Sequence, residues 1–359
     1  MTLDELLTEG LQTTFPSYRL EVFHRDQPVL SKGNVPAECL FDLASVTKVM
    51  STTALVLDQS LAIESALQRF LPTAVAQVSL ADLLFHRSGL PAFLPYFADA
   101  LNSHPRLFEA DPEAELRAQV RRELIDRVLA TPPERPAGQA AVYSDLGFIL
   151  LGVVLETASG LPLDRLFATR IASPLGLSAS YRRISLALDA PPLFAPTGTT
   201  RPREPAPGQE GLWNVAERPT TLAQVDDDNA FCLDGVSGHA GLFGTALDVA
   251  KFGQAILEGR WAPSSPWSRD ALTPGSTRAL GFDTPSPEGA SCGSRLGRRG
   301  PRGAIGHLGF TGTSLWIDFD RQLVVAFLTN RVALGRANVR IREFRPKLHD
   351  AVLDALNLE

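Results

Sequence analysis

Apolar residues recur along this chain with two periods. From Ser45 to Leu57, Val46, Val49, Met50, Thr53 and Leu57 fall at three- and four-residue intervals, the stripe of a helix buried on one face. Similar spacing predicts a short amphipathic helix over residues 2–12 and helices at Leu80–Leu84, Glu113–Ala130, Phe148–Thr157, Thr245–Leu257 and Asn338–Leu356. Strands are expected at Tyr18–Phe23 and Gln27–Leu30, around the turn His24-Arg25-Asp26. The clearest β signal is a pair of strands, Ala304–Ile317 and Leu323–Thr329, joined by the turn Asp318–Gln322.

Two stretches lack either period. Asp189–Gly211 is rich in Pro and Gly, with Pro191, Pro192, Pro196, Pro202, Pro205 and Pro207, and reads as a long loop or lid rather than a packed element. Ala262–Gly303 is also loop-rich. Strands lie near both ends and helices between, so the chain must leave the sheet and return. This predicts an α+β protein whose mixed part is discontinuous (1–61 and 238–359) around an inserted, mainly helical domain (62–237).

Composition narrows the function classes. With 44% hydrophobic and 21% charged residues, the chain is ordinary globular material. A net charge of −6 argues against a nucleic-acid partner, which needs a basic face. Cys39, Cys232 and Cys292 are odd in number and far apart, which suggests buried thiols in a reducing compartment. The first residues carry Asp4, Glu5 and Glu9 and no basic group before Arg19, unlike a signal peptide. The longest apolar run, Phe148–Leu155, is too short to span a bilayer. The expectation is therefore a cytoplasmic protein with no membrane partner.

Chemistry enters with Lys48. Only four lysines occur, and Lys48 lies three residues after Ser45. Residues three apart on a helix share a face, so an amine there reaches the serine hydroxyl and can activate it as a nucleophile. A serine at a helix start also has an unpaired backbone N–H to offer a developing oxyanion. By itself the spacing is a weak signal, since chance supplies about 0.3 such pairs in a chain of this make-up.

Three further segments are candidates. Tyr143-Ser144-Asp145 sits between a Pro/Gly loop and an apolar helix, where a phenol beside a cation can shuttle protons; equally, Tyr143 packs the helix start and Asp145 caps it. Glycines at 306, 309 and 312 weaken a strand around His307, marking either an edge where a ligand approaches or a bulge with a solvent-facing His. Gly238-His239-Ala240-Gly241 is a cleft loop or a tight turn. Gly289-Ala290-Ser291-Cys292-Gly293 has the Gly-x-Ser-x-Gly spacing but lies in the loop-rich Ala262–Gly303 stretch, without the strand-to-helix setting of a nucleophile elbow; Gly235-Val236-Ser237-Gly238-His239 is a near miss.

In this order, Ser45-x-x-Lys48, Tyr143-Ser144-Asp145 and His307-x-Gly309 resemble the three motifs of class C serine β-lactamases, penicillin-binding proteins and related esterases. Leu83–Leu90, Tyr143–Glu156, Gly238–Phe252, Gly281–Pro285 and Gly306–Arg331 extend the similarity over residues 18–350 or so. The resemblance implies an antiparallel sheet flanked by helices, an all-helical domain and a site between them. It implies that Ser45 is acylated, that Lys48 or Tyr143 takes its proton, and that Tyr143 protonates the leaving group. The N–H groups of Ser45 and Phe310 would form the oxyanion hole, and Asp145, His307, Gly309 and His239 would bind substrate, with no metal or cofactor.

Three departures from the family pattern shape the expected substrate. Asp145 replaces a common Asn and would raise the Lys48 pKa. His307 replaces a Lys and, neutral at pH 7, would hold a carboxylate less well. The family's lactamases and penicillin-binding proteins work outside the cytoplasm, and no export signal is seen here. Arg295, Arg298, Arg299 and Arg302 would either supply the missing charge or form a solvated loop. The expectation is a serine hydrolase of small-molecule esters or amides, with weak lactamase activity. A true β-lactamase or D,D-carboxypeptidase is the alternative within enzymes, and a non-catalytic scaffold the alternative outside them.

Overall fold

A computed structural model describes residues 1–108, 114–186, 193–198, 200–204, 211, 216–217, 223–261, 273, 276–286, 290–298 and 302–358. The described helices are α1 (Leu3–Thr13), α2 (Ala54–Asp58), α3 (Leu80–Leu84), α4 (Tyr96–Ser103), α5 (Ala114–Ala130), α6 (Asp145–Ser159), α7 (Leu163–Phe167), α8 (Ser173–Leu175), α9 (Asp228–Cys232), α10 (Ala246–Leu257) and α11 (Ile341–Ala355). The strands are β1 (Tyr18–His24), β2 (Gln27–Gly33), β3 (Phe41–Asp42), β4 (Ser180–Tyr181), β5 (Thr200–Arg201), β6 (Ala216–Glu217), β7 (Leu242–Gly244), β8 (Ala304–Leu308), β9 (Ser314–Asp318) and β10 (Leu323–Thr329).

The main sheet has the order β2-β1-β10-β9-β8, and every pair is antiparallel. Its strands come from the two ends of the chain, so β1 lies beside β10 with Tyr18 opposite Thr329. Both faces are covered. Leu323, Val325 and Phe327 of β10 pack with Leu6, Leu7, Phe344 and Leu348 from α1 and α11. The alternate residues Val324, Ala326 and Leu328 join Val249 and Phe252 of α10 in the larger core. Burial on both faces explains why β10 reads as an unbroken apolar run.

That larger core continues from the sheet into the helical region, through Val46, Met50, Leu83, Phe148 and Phe231. A small sheet, β3-β7-β4, also crosses between the two regions of the chain. The helical part is therefore built onto the sheet part through shared packing. Among the described residues, no single helix is long and apolar enough to cross a membrane.

The structure corrects several boundaries. The expected strand Ala304–Ile317 is a hairpin, β8 and β9, because Gly309 N donates to Thr313 O at 2.7 Å and Gly312 turns the chain at φ +107°. The closing helix starts at Ile341 rather than Asn338. Ser144, not Asp145, caps α6: its hydroxyl accepts from the Gly147 N–H. Part of the Pro-rich stretch is packed rather than open, since Ala195 N donates to Leu40 O at 2.8 Å and Pro196 O accepts from Asn330 at 2.8 Å. Pro191, Pro192, Pro205 and Pro207 lie outside the described residues.

Gly253 sets how closely α10 approaches the sheet. A Cβ there would lie 2.6 Å from Val324 Cγ1 and 3.0 Å from Leu315 Cδ1. Both neighbours are fully buried. Gly253→Val is expected to lower stability by about 1–3 kcal/mol, the usual scale of overpacking. A chemical-denaturation midpoint unchanged from wild type would refute this close approach.

Candidate active site

The nucleophile segment is held in a strained turn. After β3 the chain reverses through Ala44, whose φ of +47° is unfavourable for a residue with a Cβ. Asp42 compensates by accepting the Ala44 N–H at 2.8 Å, and its other oxygen accepts the Asp226 N–H at 2.7 Å. Ser45 follows, partly exposed, ahead of the helix rather than within it. The chain then forms a π-helical stretch, Lys48–Thr53, before continuing as α2. Such widened turns recur at functional sites.

Lys48 is fully buried, and three acceptors surround its amine. Ser45 Oγ lies at 3.0 Å, His239 O at 3.1 Å and Asp145 Oδ1 at 2.7 Å. Three acceptors saturate the three donors of an ammonium, so the geometry fits the charged form. Burial alone pushes the amine pKa down, but the neighbouring Asp145 carboxylate outweighs it and leaves the pKa above the ordinary value. The expected effect of Asp145 on Lys48 therefore has a direct contact behind it.

Tyr143 joins the same cluster. Its ring centroid is 4.9 Å from Lys48 Nζ, and its hydroxyl is close enough to Lys48 and Ser45 for both to act on its titration. Burial raises its pKa, opposed by the Lys48 charge, so the resting phenol keeps its proton. The loop that places Tyr143 is fastened to the segment after α3. Ser144 N donates to His86 Nδ1 at 3.0 Å, Ser144 Oγ to Pro91 O at 2.7 Å and Asp145 N to Ala92 O at 3.0 Å. The His86 ring lies against Tyr143 at a centroid distance of 4.7 Å.

The β8–β9 turn is stitched onto the nucleophile turn from the other side. Thr311 Oγ1 donates to Asp42 O at 2.8 Å and Thr313 Oγ1 to Leu43 O at 2.9 Å. Gly309 permits this contact, since a Cβ there would lie 1.9 Å from Thr313 Oγ1 and 2.7 Å from Leu43 O. Gly309 was expected to bind substrate; it lines the cavity, and its missing side chain is used for packing. The backbone N–H groups of Ser45 and Phe310 have no protein acceptor among the described residues, and both residues line the cavity. They remain candidates for an oxyanion hole.

The cavity has a volume of about 480 Å³ and brings together Ser45, Tyr143, Asp145, His307, Gly309 and Phe310. His307 lies on the edge strand β8 but is 2% exposed rather than solvent-facing. Its Nδ1 is 2.9 Å from Leu308 O, and burial together with Lys48 and Arg278 holds its pKa well below the ordinary value. The neutral ring therefore donates from Nδ1 and leaves Nε2, which has no protein partner, as an acceptor.

His239 is a correction. It was expected to bind substrate, but its ring is 1% exposed and absent from the cavity wall. The ring spans Ser237 Oγ at 2.8 Å and Asp227 Oδ1 at 2.9 Å, while its carbonyl receives Lys48. Gly238 allows the chain to reach that position: a Cβ there would lie 2.1 Å from Phe148 O.

At its described positions the Arg-rich loop does not line the cavity. Arg295 is taken up by Asp350 and Asp354 of α11, Arg298 by Ser286 O, and Arg302 lies over Phe319. Arg299 lies outside the described residues. Cations do reach the cavity, from positions the motifs do not mark: Arg278, Arg331, Arg342 and Arg345, besides Arg203 and Arg336, which pair with Asp226–Asp228. Arg278 stacks on Tyr143 with its guanidinium carbon 4.8 Å from the ring centroid. The single signal for it in the sequence was its nearness to Gly281–Pro285.

Comparison with known proteins agrees with this geometry. The sequence model described as Beta-lactamase matches residues 3–345. A Salmonella agona protein named "Putative D-alanyl-D-alanine carboxypeptidase" is 27% identical over 340 residues, covering 88% of this chain and 73% of the relative. An octameric penicillin-binding protein homologue from Pyrococcus abyssi superposes with a TM-score of 0.67 at 16% identity, over 99% of this chain and 77% of its own. EstCE1, a hydrolase with promiscuous acyltransferase activity, gives 0.65 at 19% identity, over 96% and 97%. At these identities the two structures speak for the fold alone.

Asp145→Asn removes the charge that raises the Lys48 pKa and leaves the downward push of burial, so the amine should titrate at lower pH than in the wild type. The limb of the pH profile of ester hydrolysis that follows Lys48 is expected to move to lower pH. Superimposable profiles would show that Asp145 does not hold the proton on Lys48.

Proposed function

This chain belongs to the beta-lactamase family and is a serine hydrolase, and we propose that it hydrolyses small esters or amides through an acyl-enzyme on Ser45. The observation that carries this reading is Ser45 Oγ placed 3.0 Å from a buried ammonium, with a phenol close to both. Ser45 Oγ bonds to the substrate carbonyl carbon while its proton passes to Tyr143 Oη; the bond from that carbon to the leaving oxygen or nitrogen then breaks, and the Tyr143 proton passes to the departing alcohol or amine. Lys48 stays charged and stabilises the phenol oxygen during this exchange. That division follows from the saturated ammonium, which has no lone pair to accept a proton. The Ser45 and Phe310 N–H groups hold the oxyanion. Water then repeats the sequence in reverse and frees Ser45.

The neutral His307 on the cavity wall brings no positive charge to hold a carboxylate, which supports neutral ester or amide substrates. A second reading rests on Arg278 and Arg342, which bring positive charge to the cavity wall. They suit a peptide or lactam with a free carboxylate, and the name of the Salmonella relative, putative D-alanyl-D-alanine carboxypeptidase, is in keeping with the peptide. All three cysteines are unpaired and buried, which supports a reducing compartment as the place of work.

A fluorophosphonate probe should label Ser45 and fail to label Ser45→Ala; folded wild type that stays unlabelled would overturn the acyl-enzyme. Tyr143→Phe should reduce turnover by about 100-fold or more, the scale of general acid–base help. An unchanged rate removes Tyr143 from the mechanism. Turnover of a short-chain nitrophenyl ester against a chromogenic cephalosporin separates the two substrate readings: the ester should be preferred, and faster cephalosporin turnover favours the second.

A further inference from the structure

We infer that Arg345 is a positioning residue that polarises the Gly309–Phe310 peptide and so strengthens the Phe310 N–H as an oxyanion donor. This rests on the acyl-enzyme reading above, in which that N–H meets the substrate oxygen.

Arg345 projects from α11 onto the β8–β9 turn at the cavity wall and is 5% exposed. Its Nη2 donates to Gly309 O and to Thr313 O, both at 2.8 Å. Gly309 O and the Phe310 N–H belong to one peptide unit. A donor placed on the carbonyl draws electron density from the nitrogen, so the N–H at the opposite end becomes more positive. Hydrogen bonds in a chain polarise one another in this way, most strongly where water is excluded. A guanidinium does this better than a neutral donor because it carries a full charge.

What marks the arrangement as more than turn packing is the missing countercharge. Among the described residues, no carboxylate pairs with Arg345. Its neighbour Arg331 is also cationic and donates to Phe310 O at 2.7 Å. His349, one turn further along α11, is fully buried, and neither of its ring nitrogens has a partner. Burial and Arg331 lower the Arg345 pKa to about 9, which leaves it charged at neutral pH. A buried, unpaired cation is costly to folding. A neutral side chain could tie the two carbonyls without that cost. The positive charge is compensated only when negative charge arrives in front of the Phe310 N–H, which is what a tetrahedral intermediate brings.

The experiment compares Arg345→Gln, which keeps a donor but loses the charge, with Arg345→Lys, which keeps the charge, using 4-nitrophenyl acetate. The Gln variant should lose about tenfold or more in kcat with KM little changed, and the Lys variant should stay within about threefold of wild type. The carbonyl stretch of the acyl group on Ser45 should move to higher frequency in the Gln variant and return in the Lys variant. A folded Gln variant with wild-type kcat, or a folded Lys variant down by more than tenfold, overturns the proposal. Should the Gln variant not fold, the Lys variant decides alone. Fluorophosphonate labelling of wild-type Ser45 keeps the two readings apart. Its absence sinks the acyl-enzyme itself, whereas labelling with an indifferent Arg345→Gln sinks only this inference.

Discussion

The buried ammonium of Lys48 is the constraint on which the site is built. A cation without solvent must find enough acceptors, and its three come from three separate segments: Ser45 before its own helix, Asp145 at the start of α6, and the carbonyl of His239 ahead of β7. Moving any one of these segments would leave a charge unsatisfied, and removing one partner of a buried pair generally costs about 3–5 kcal/mol. The helical region and the sheet region are thus held together at the point where the chemistry occurs. The tightness of Gly238 against Phe148 O, which puts His239 O in place, is the backbone counterpart of the same demand.

A second set of contacts fixes the direction in which the serine points. The left-handed Ala44 is unfavourable alone, and the bonds from Asp42, Thr311 and Thr313 hold it in that conformation. Strain of this kind persists only where the surroundings over-determine it. Here the same bonds tie the β8–β9 turn to the nucleophile, so the two candidate oxyanion donors are set by one rigid unit. Arg345 grips that unit through the carbonyls at both ends of the turn.

Much of this was legible in the sequence because period and motif survive without coordinates. The stripe from Val46 to Leu57, the two-faced apolar strand at Leu323–Thr329 and the separation of strands to the chain ends gave the architecture. The spacing of Ser45 and Lys48 pointed to a shared face, and Tyr143, Asp145 and His307 gather in the same cavity. Contacts that depend on register were not legible. The reversal at Gly309–Thr313 was read as weakness within one long strand, because glycine marks close approach without saying whether a ligand or another backbone approaches. His239 was assigned by its place in a glycine-flanked motif, yet its carbonyl rather than its ring reaches the site. The arginines at 278, 331, 342 and 345 share no spacing with the motifs and converge only through the fold. Of the two readings left open for the arginine cluster at 295–302, Arg295 does not follow the one that supplies charge to the cavity, because acids of α11 lie next to it.

The distribution of charge in the cavity has to be judged by what each arginine is already doing. Arg203 and Arg336 face Asp226, Asp227 and Asp228 and are neutralised there. Arg331 and Arg345 spend donors on the carbonyls of Phe310, Gly309 and Thr313. Arg278 has a loose ion pair with Asp283 at 3.7 Å and leans on Tyr143. Arg342, exposed at the rim, has no ion-pair partner among the described residues. Six cationic side chains therefore present a much smaller attraction to an incoming carboxylate than their number suggests. The charge that remains uncompensated lies mainly at the oxyanion turn, where it acts on negative charge created during reaction rather than on charge the substrate carries in. A site arranged in this way favours turnover over tight ground-state binding of anions, since only interactions that strengthen in the transition state accelerate the chemical step.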